Sequence, residues 1–273
     1  AAGVVGCRII DSPRERLLAI LTNSFVPCNG RFPTLVNLIL LFFVGTAAGP
    51  GQSVLSALLL TGFILLGAAA TFAVTGLLSR TVLRGVPSSF TLELPPYRRP
   101  QWRQVIVRSV FDRTLFVLAR AVKAAAPAGL LLWLMANLTI GGSTILAHCA
   151  GFLEPAGRAL GMDGVILLAF LLGLPANEIV VPIMLMGYLS QGVLQQPEGL
   201  AQMQGVFLAN GWTPVTALCV MLFMLMHWPC ATTLMTIRKE TGSLKWTLLA
   251  AALPTLCGTL ACLLVNGLYQ LAA

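Results

Sequence analysis

Charge is what this chain has least of. Only 10% of its 273 residues are Asp, Glu, Lys or Arg, while 57% are hydrophobic and mean hydropathy is +0.87. Soluble domains carry about 25% charged residues. A fold this poor in charge has too little polar surface to stay dispersed in water, so an ordinary soluble domain is excluded and the bilayer is the natural solvent. Acids are scarcer than bases, nine against 17, and there are two histidines. No H-E-x-x-H, no G-x-S-x-G and no paired catalytic acids are present, which removes the common hydrolase chemistries. No G-x-x-x-x-G-K-[ST] loop is present to cradle a nucleotide phosphate. The seven cysteines follow no disulfide or zinc spacing, and each reads first as a small buried hydrophobe. There is no initiating Met and no secretory signal pattern, so the sequence reads as a fragment or a trimmed piece.

What is present is a set of charge-free runs at 32–79, 124–153, 199–237 and 246–273. A spanning helix needs roughly 20 mostly apolar residues. Each run holds at least one span, and the first has room for two. Ser12-Pro13 predicts a helix start, with serine as N-cap and proline at the first helical position. That helix meets a break at Pro27-Cys28-Asn29-Gly30, and Pro33 opens the next, running to about Ala48. Further spans are expected at about 53–78, 115–138 with a kink at Pro127, 164–189, 212–237 and 248–268.

Nine of the 17 basic residues lie in 80–123, with others at the N-terminus and at 238–245, read as a short basic loop. Lys and Arg gathered between apolar runs mark the cytoplasmic side of a membrane protein rather than a nucleic-acid surface. The prolines at 87, 95, 96 and 100 forbid one continuous helix in the first half of this stretch. The second half, from Gln101, reads as an interfacial amphipathic helix anchored by Trp102. Placing all three basic regions on one side leaves an odd number of spans between the second and third. A re-entrant segment resolves this, and the helix breakers at 173–178 mark the place. Irregular backbone at membrane depth survives only where protein or a water-filled path satisfies it.

Two breaks look alike. Pro27 to Leu35 and Pro229 to Ile237 share the pattern P-C-x-x-x-[FL]-x-T-[LI]. Corresponding broken helices in two halves of a transporter point to its binding site. Proline frees a carbonyl one turn earlier, and cysteine adds a sulfur suited to Fe(II), Zn(II) or Cu(I). Glu178 is the sole charge between Asp163 and Glu198 and is expected to be buried, which makes it a candidate ligand. It sits in Pro175-Ala176-Asn177-Glu178, where Asn177 and freed carbonyls add oxygen donors. The candidate metal ligands are therefore Cys28, Cys230 and Glu178. Pro27, Asn29, Gly30, Pro175, Asn177, Pro229, Thr232 and Thr233 are expected to line the route. His227 is a weaker candidate, since a lone histidine among Met and Phe more often serves as a structural hydrogen-bonder.

These motifs resemble the ferrous iron transport protein B (FeoB) family. Asp11-Ser12-Pro13-Arg14-Glu15-Arg16 and the segment from Phe25 to Leu35 are similar to its first Gate region. Leu94-Pro95-Pro96-Tyr97-Arg98 resembles the linker that follows. Gly173 to Val180, Trp228-Pro229-Cys230-Ala231-Thr232 and Lys239-Glu240-Thr241-Gly242 resemble its second Gate region. The resemblance implies an all-α polytopic membrane protein with broken or re-entrant helices and two pseudo-repeated Gate regions. These regions are expected at 1–79 and 124–273, joined by a basic cytoplasmic linker and amphipathic helix at 80–123. It further implies Fe(II) as transported substrate in the bacterial inner membrane, with no bound organic cofactor. The family's GTP-binding domain is expected in a preceding part or a separate chain, and self-association into a homo-oligomer is compatible with the pattern. Two other functions fit the same residues. One is a permease for small organic solutes such as nucleosides, using Asn177, Glu178 and Thr232 as hydrogen-bonders. The other is a membrane scaffold whose breaks are bends.

Overall fold

The computed structural model describes residues 2–45, 49–85, 101–108, 115–189 and 199–272. The chain runs through α1 (Ala2–Gly6), α2 (Pro13–Thr22), α3 (Phe32–Ile39, widened into a π turn at Leu40–Val44) and α4 (Pro50–Arg80). Next come α5 (Trp102–Arg108), α6 (Phe116–Asn137) and a two-stranded hairpin of β1 (Thr139–Ile140) and β2 (Ser143–Thr144). Then follow α7 (Ile145–Ala159), α8 (Gly164–Leu172), α9 (Val180–Leu189), α10 (Leu200–Ala209), α11 (Pro214–Met226), α12 (Ala231–Thr241) and α13 (Leu244–Ala272). The protein is all-α and polytopic. Three helical stretches among the described residues are long and apolar enough to cross a membrane: Gly51–Arg80, Pro214–Thr241 and Leu244–Ala272.

The local signals explain the starts. Ser12 caps α2, its Oγ accepting from the Glu15 N–H at 3.4 Å, with Pro13 at the first helical position. Thr144, Asp163 and Thr213 cap α7, α8 and α11 in the same way. Pro127 sits inside α6 as expected.

The breakers at 173–178 divide the stretch 164–189, as the sequence indicates, into two helices of nine and ten residues, α8 and α9, each about half a bilayer core in length at 1.5 Å per residue. Other elements depart from the sequence reading. The pair α7 and α8 bends by 109°, the geometry of a broken span or a re-entrant loop. A close crossing makes this bend: a Cβ on Gly164 would stand 1.9 Å from the Ala150 carbonyl oxygen. The expected basic loop at 238–245 is in its first half the last turn of α12, which ends only where Gly242 takes φ +64°, and its Lys245 already lies in α13. Between the expected spans at 164–189 and 212–237 lies a further apolar helix, α10, which buries Met203 and Phe207. The expected linker motif at Leu94-Pro95-Pro96-Tyr97-Arg98 lies outside the described residues.

Helix order repeats. Helix α2, a Pro-Cys break, α3 and the long α4 match α11, a Pro-Cys break, α12 and the long α13. The two sets interlock: α2 packs on α13 as well as on α4, and α11 packs on α4 as well as on α13. One apolar cluster joins Val4, Leu18, Leu21 and Leu78 to Ile237 and Ala250. A small one, Phe25 with Leu225 and Met226, sits where the two breaks meet. In lipid there is no hydrophobic force between helices, so close packing and polar ties carry their association.

Candidate functional site

Proline at 229 cannot donate to the carbonyl four residues back, so the Leu225 oxygen is freed. The fold satisfies it with Arg31, which is 2% exposed. The guanidinium Nη1 donates to the Leu225 oxygen at 2.9 Å and to the Ser24 oxygen at 3.2 Å. Its Nη2 donates to the His227 and Trp228 oxygens, each at 3.2 Å. One side chain therefore bridges the last turn before the first Pro-Cys break to the second break. The freed carbonyls, expected as open oxygen donors, are already capped by a cation.

The third break, Pro175 to Glu178, joins the same place. The Ala231 N–H, just past Cys230, donates to the Leu174 oxygen at 2.8 Å. A tight turn at 177–179 sends neighbouring residues in different directions. Asn177 points inward and is buried, its Nδ2 reaching Cys28 Sγ at 3.9 Å and its Oδ1 lying 3.3 Å from His227 Nε2. Glu178 points outward. The expectation of a buried carboxylate is corrected here: Glu178 is exposed from the packed core. It lines a cleft of about 410 Å³ with Pro33, Thr34, Asn37, Pro182 and Met203. Its side chain lies against Gly30, where an added Cβ would come within 2.9 Å of Glu178 Oε1.

His227 is fully buried, with Nδ1 2.9 Å from the Met224 oxygen and 3.1 Å from the Phe223 oxygen. With both nitrogens engaged, the ring must give up a tie before it can ligate. Cys230 caps the start of α12, and its sulfur lies 3.1 Å from Thr232 Oγ1 and 3.3 Å from Thr233 Oγ1. Cys28 and Asn29 are exposed, Pro27 is buried, and Pro175 is half-buried. The two long helices close over the breaks at glycines. A Cβ on Gly67 would stand 2.5 Å from the Phe25 oxygen, and one on Gly258 2.8 Å from the Met226 oxygen.

The fold thus brings the two Pro-Cys breaks and the Pro-Ala-Asn-Glu break to one junction. Among the described residues no three His, Cys, Asp or Glu stand together as a metal-holding group. Cys28, Cys230 and Glu178 therefore do not form a closed cage. Five buried side-chain polar atoms lack a protein partner among the described residues. Three of them, Ser24 Oγ, Arg31 Nε and Trp228 Nε1, surround this junction. Unpartnered buried polar atoms are rare enough to mark a place under functional constraint.

Sequence reasoning passed over Arg31. The signal was available: Arg31 is an isolated charge between apolar segments, the same signal that singled out Glu178.

Two family models match. "Ferrous iron transport protein B C terminus" covers residues 60–112, and "Nucleoside recognition", the Gate model, covers 118–244. A Staphylococcus aureus protein named Fe(2+) transporter FeoB is 30% identical over 263 residues, 92% of this chain and 36% of its own. Proteins of the same name from Campylobacter jejuni and Synechocystis are 27% and 28% identical, covering 88% and 92% of this chain. The chain spans 36–40% of the length of these relatives. No solved structure matches it.

Proposed function

The chain belongs to the ferrous iron transport protein B family, and from that premise we propose that it forms the permease portion through which Fe(II) crosses the bacterial inner membrane. The observation that carries this reading is the convergence of three helix breaks on one junction, through the Ala231–Leu174 backbone bond and the Asn177–Cys28 contact. Irregular backbone gathered inside a helical membrane protein is where transporters place their substrates. Fe(II) sheds water in stages. Glu178 and Asn29 meet it at the mouth, and Cys28 and Cys230 supply soft sulfur within. Asn177, Thr232 and Thr233 orient the two thiols. Ligands met in succession suit transit better than a closed cage, because an ion held by all at once would not leave. The residues at 1–79 and 124–273 act as the two gates, and movement of one against the other opens alternate faces. A GTP-binding domain, in the remainder of the full-length protein or on a separate chain, controls that movement. This chain itself works as a transporter and not as an enzyme.

The matched model's description, nucleoside recognition, favours one second reading: a small organic solute held by Asn177, Glu178 and Thr232. Uptake into liposomes separates the two. The iron reading predicts saturable, anaerobic Fe(II) entry that excess nucleoside leaves unchanged. Nucleoside entry without any metal requirement would sink it.

A further inference from the structure

A buried guanidinium without a carboxylate is costly, and Arg31 has none among the described residues. The ion pairs among the described residues are Arg8–Glu240 and Arg158–Glu154. The charge of Arg31 is met by backbone carbonyls, with the Cys28 and Cys230 thiol groups close enough to act on it electrostatically, and its Nε has no hydrogen-bond partner among the described residues. Apolar packing fills such a space more stably unless the charge has a task. The carbonyls it holds belong to the two flanks of the route: Ser24 on one side, Leu225, His227 and Trp228 on the other. Oxygen dipoles gathered this way are the kind of site that replaces the hydration shell of a travelling cation.

We propose that Arg31 is a tethered cation that keeps the route shut: its guanidinium occupies the carbonyl cluster between the two Pro-Cys breaks and must leave before a divalent ion passes. The inference rests on the permease reading only in taking these breaks as the route. While Arg31 is seated, its charge repels an arriving cation and its fork ties the first gate to the second. Withdrawal removes both effects at once and bares the carbonyls to the ion. The missing partner at Nε leaves the hold incomplete, which suits a contact that has to be released.

The test uses the chain in liposomes, with every cysteine except Cys28 and Cys230 replaced by alanine, as wild type, Arg31→Lys and Arg31→Met. Two rates are read well below the melting temperature: alkylation of Cys230 by a membrane-impermeant maleimide, and Fe(II) leak measured by quenching of a chelating dye inside the vesicles. Each charge-assisted bond lost should raise the open fraction on the order of tenfold. Arg31→Met is expected to show the fastest Cys230 alkylation and a standing leak. Arg31→Lys, which keeps the charge but cannot reach four carbonyls, falls between. A residue with a merely structural role would lower the melting temperature and leave both rates alone. Folded Arg31→Met with unchanged alkylation and tight vesicles overturns the proposal. Should Arg31→Met not fold, Arg31→Lys decides by the same two rates. Fast alkylation in Arg31→Met beside a wild type that takes up no iron upholds the latch and sinks iron as cargo. Iron uptake by wild type with unchanged alkylation in the variants does the reverse.

Discussion

The two Pro-Cys breaks share five sequence positions and differ in how their polar groups are satisfied. At the second break nearly everything is engaged from within. Arg31 holds the carbonyls, two threonine hydroxyls flank the Cys230 sulfur, and His227 is tied at both nitrogens. At the first break Cys28 and Asn29 are exposed, and the side-chain tie to Cys28 among the described residues is the long contact from Asn177. A repeated motif therefore does not mean a repeated environment. One copy is the anchored wall of the junction and the other its open side, the asymmetry expected where an ion is received on one side and handed to the other.

Four predictions sharpen or break that contrast. His227→Ala removes a buried ring and three ties of the anchored side, and should cost about 2–4 kcal/mol of stability, read as a lower unfolding temperature in detergent. An equal effect from Asn29→Ala would erase the contrast. Gly67→Ala drives a Cβ into the Phe25 carbonyl and should destabilise by about 1–3 kcal/mol, with Gly258→Ala costing less because its approach is 0.3 Å longer (2.8 − 2.5). The reverse order would show that the long helices do not close over the breaks as described. In the resting protein exposed Cys28 should react with maleimide on the order of tenfold faster than half-buried Cys230, whose full exposure needs a local opening. Equal rates would make the two sides alike. The smallest effect on stability belongs to Glu178→Gln, within about 0.5 kcal/mol because the side chain is exposed, while Fe(II) entry slows.

Much of this architecture was legible in the chain. Charge-free runs located α4, α11 and α13, and the Ser12-Pro13 signal located the start of α2. The Pro-Cys and Pro-Ala-Asn-Glu breaks were read as interruptions, and the fold shows them as such. Depth within the fold was not legible. Glu178 was expected inside because apolar residues surround it in sequence, yet a single tight turn decides whether residue 177 or 178 faces the core. The helix breakers at 173–178 mark where 164–189 divides into α8 and α9, while composition alone leaves the sharp bend between α7 and α8 unread. Arg31 stands alone between apolar segments in the sequence, which marks it for attention but does not say what it reaches. Its partners come from the second break, 194 residues away at Leu225, a pairing that only the fold supplies.

The central claim is that the paired breaks hold the ion, and anaerobic Fe(II) binding to the purified chain in detergent tests it most directly, wild type beside Cys28→Ser/Cys230→Ser. Saturable binding that the double substitution abolishes, with unfolding temperature unchanged, is the predicted result. Binding of equal affinity in both proteins would contradict the claim, because the sulfurs at the junction would then take no part in holding the ion.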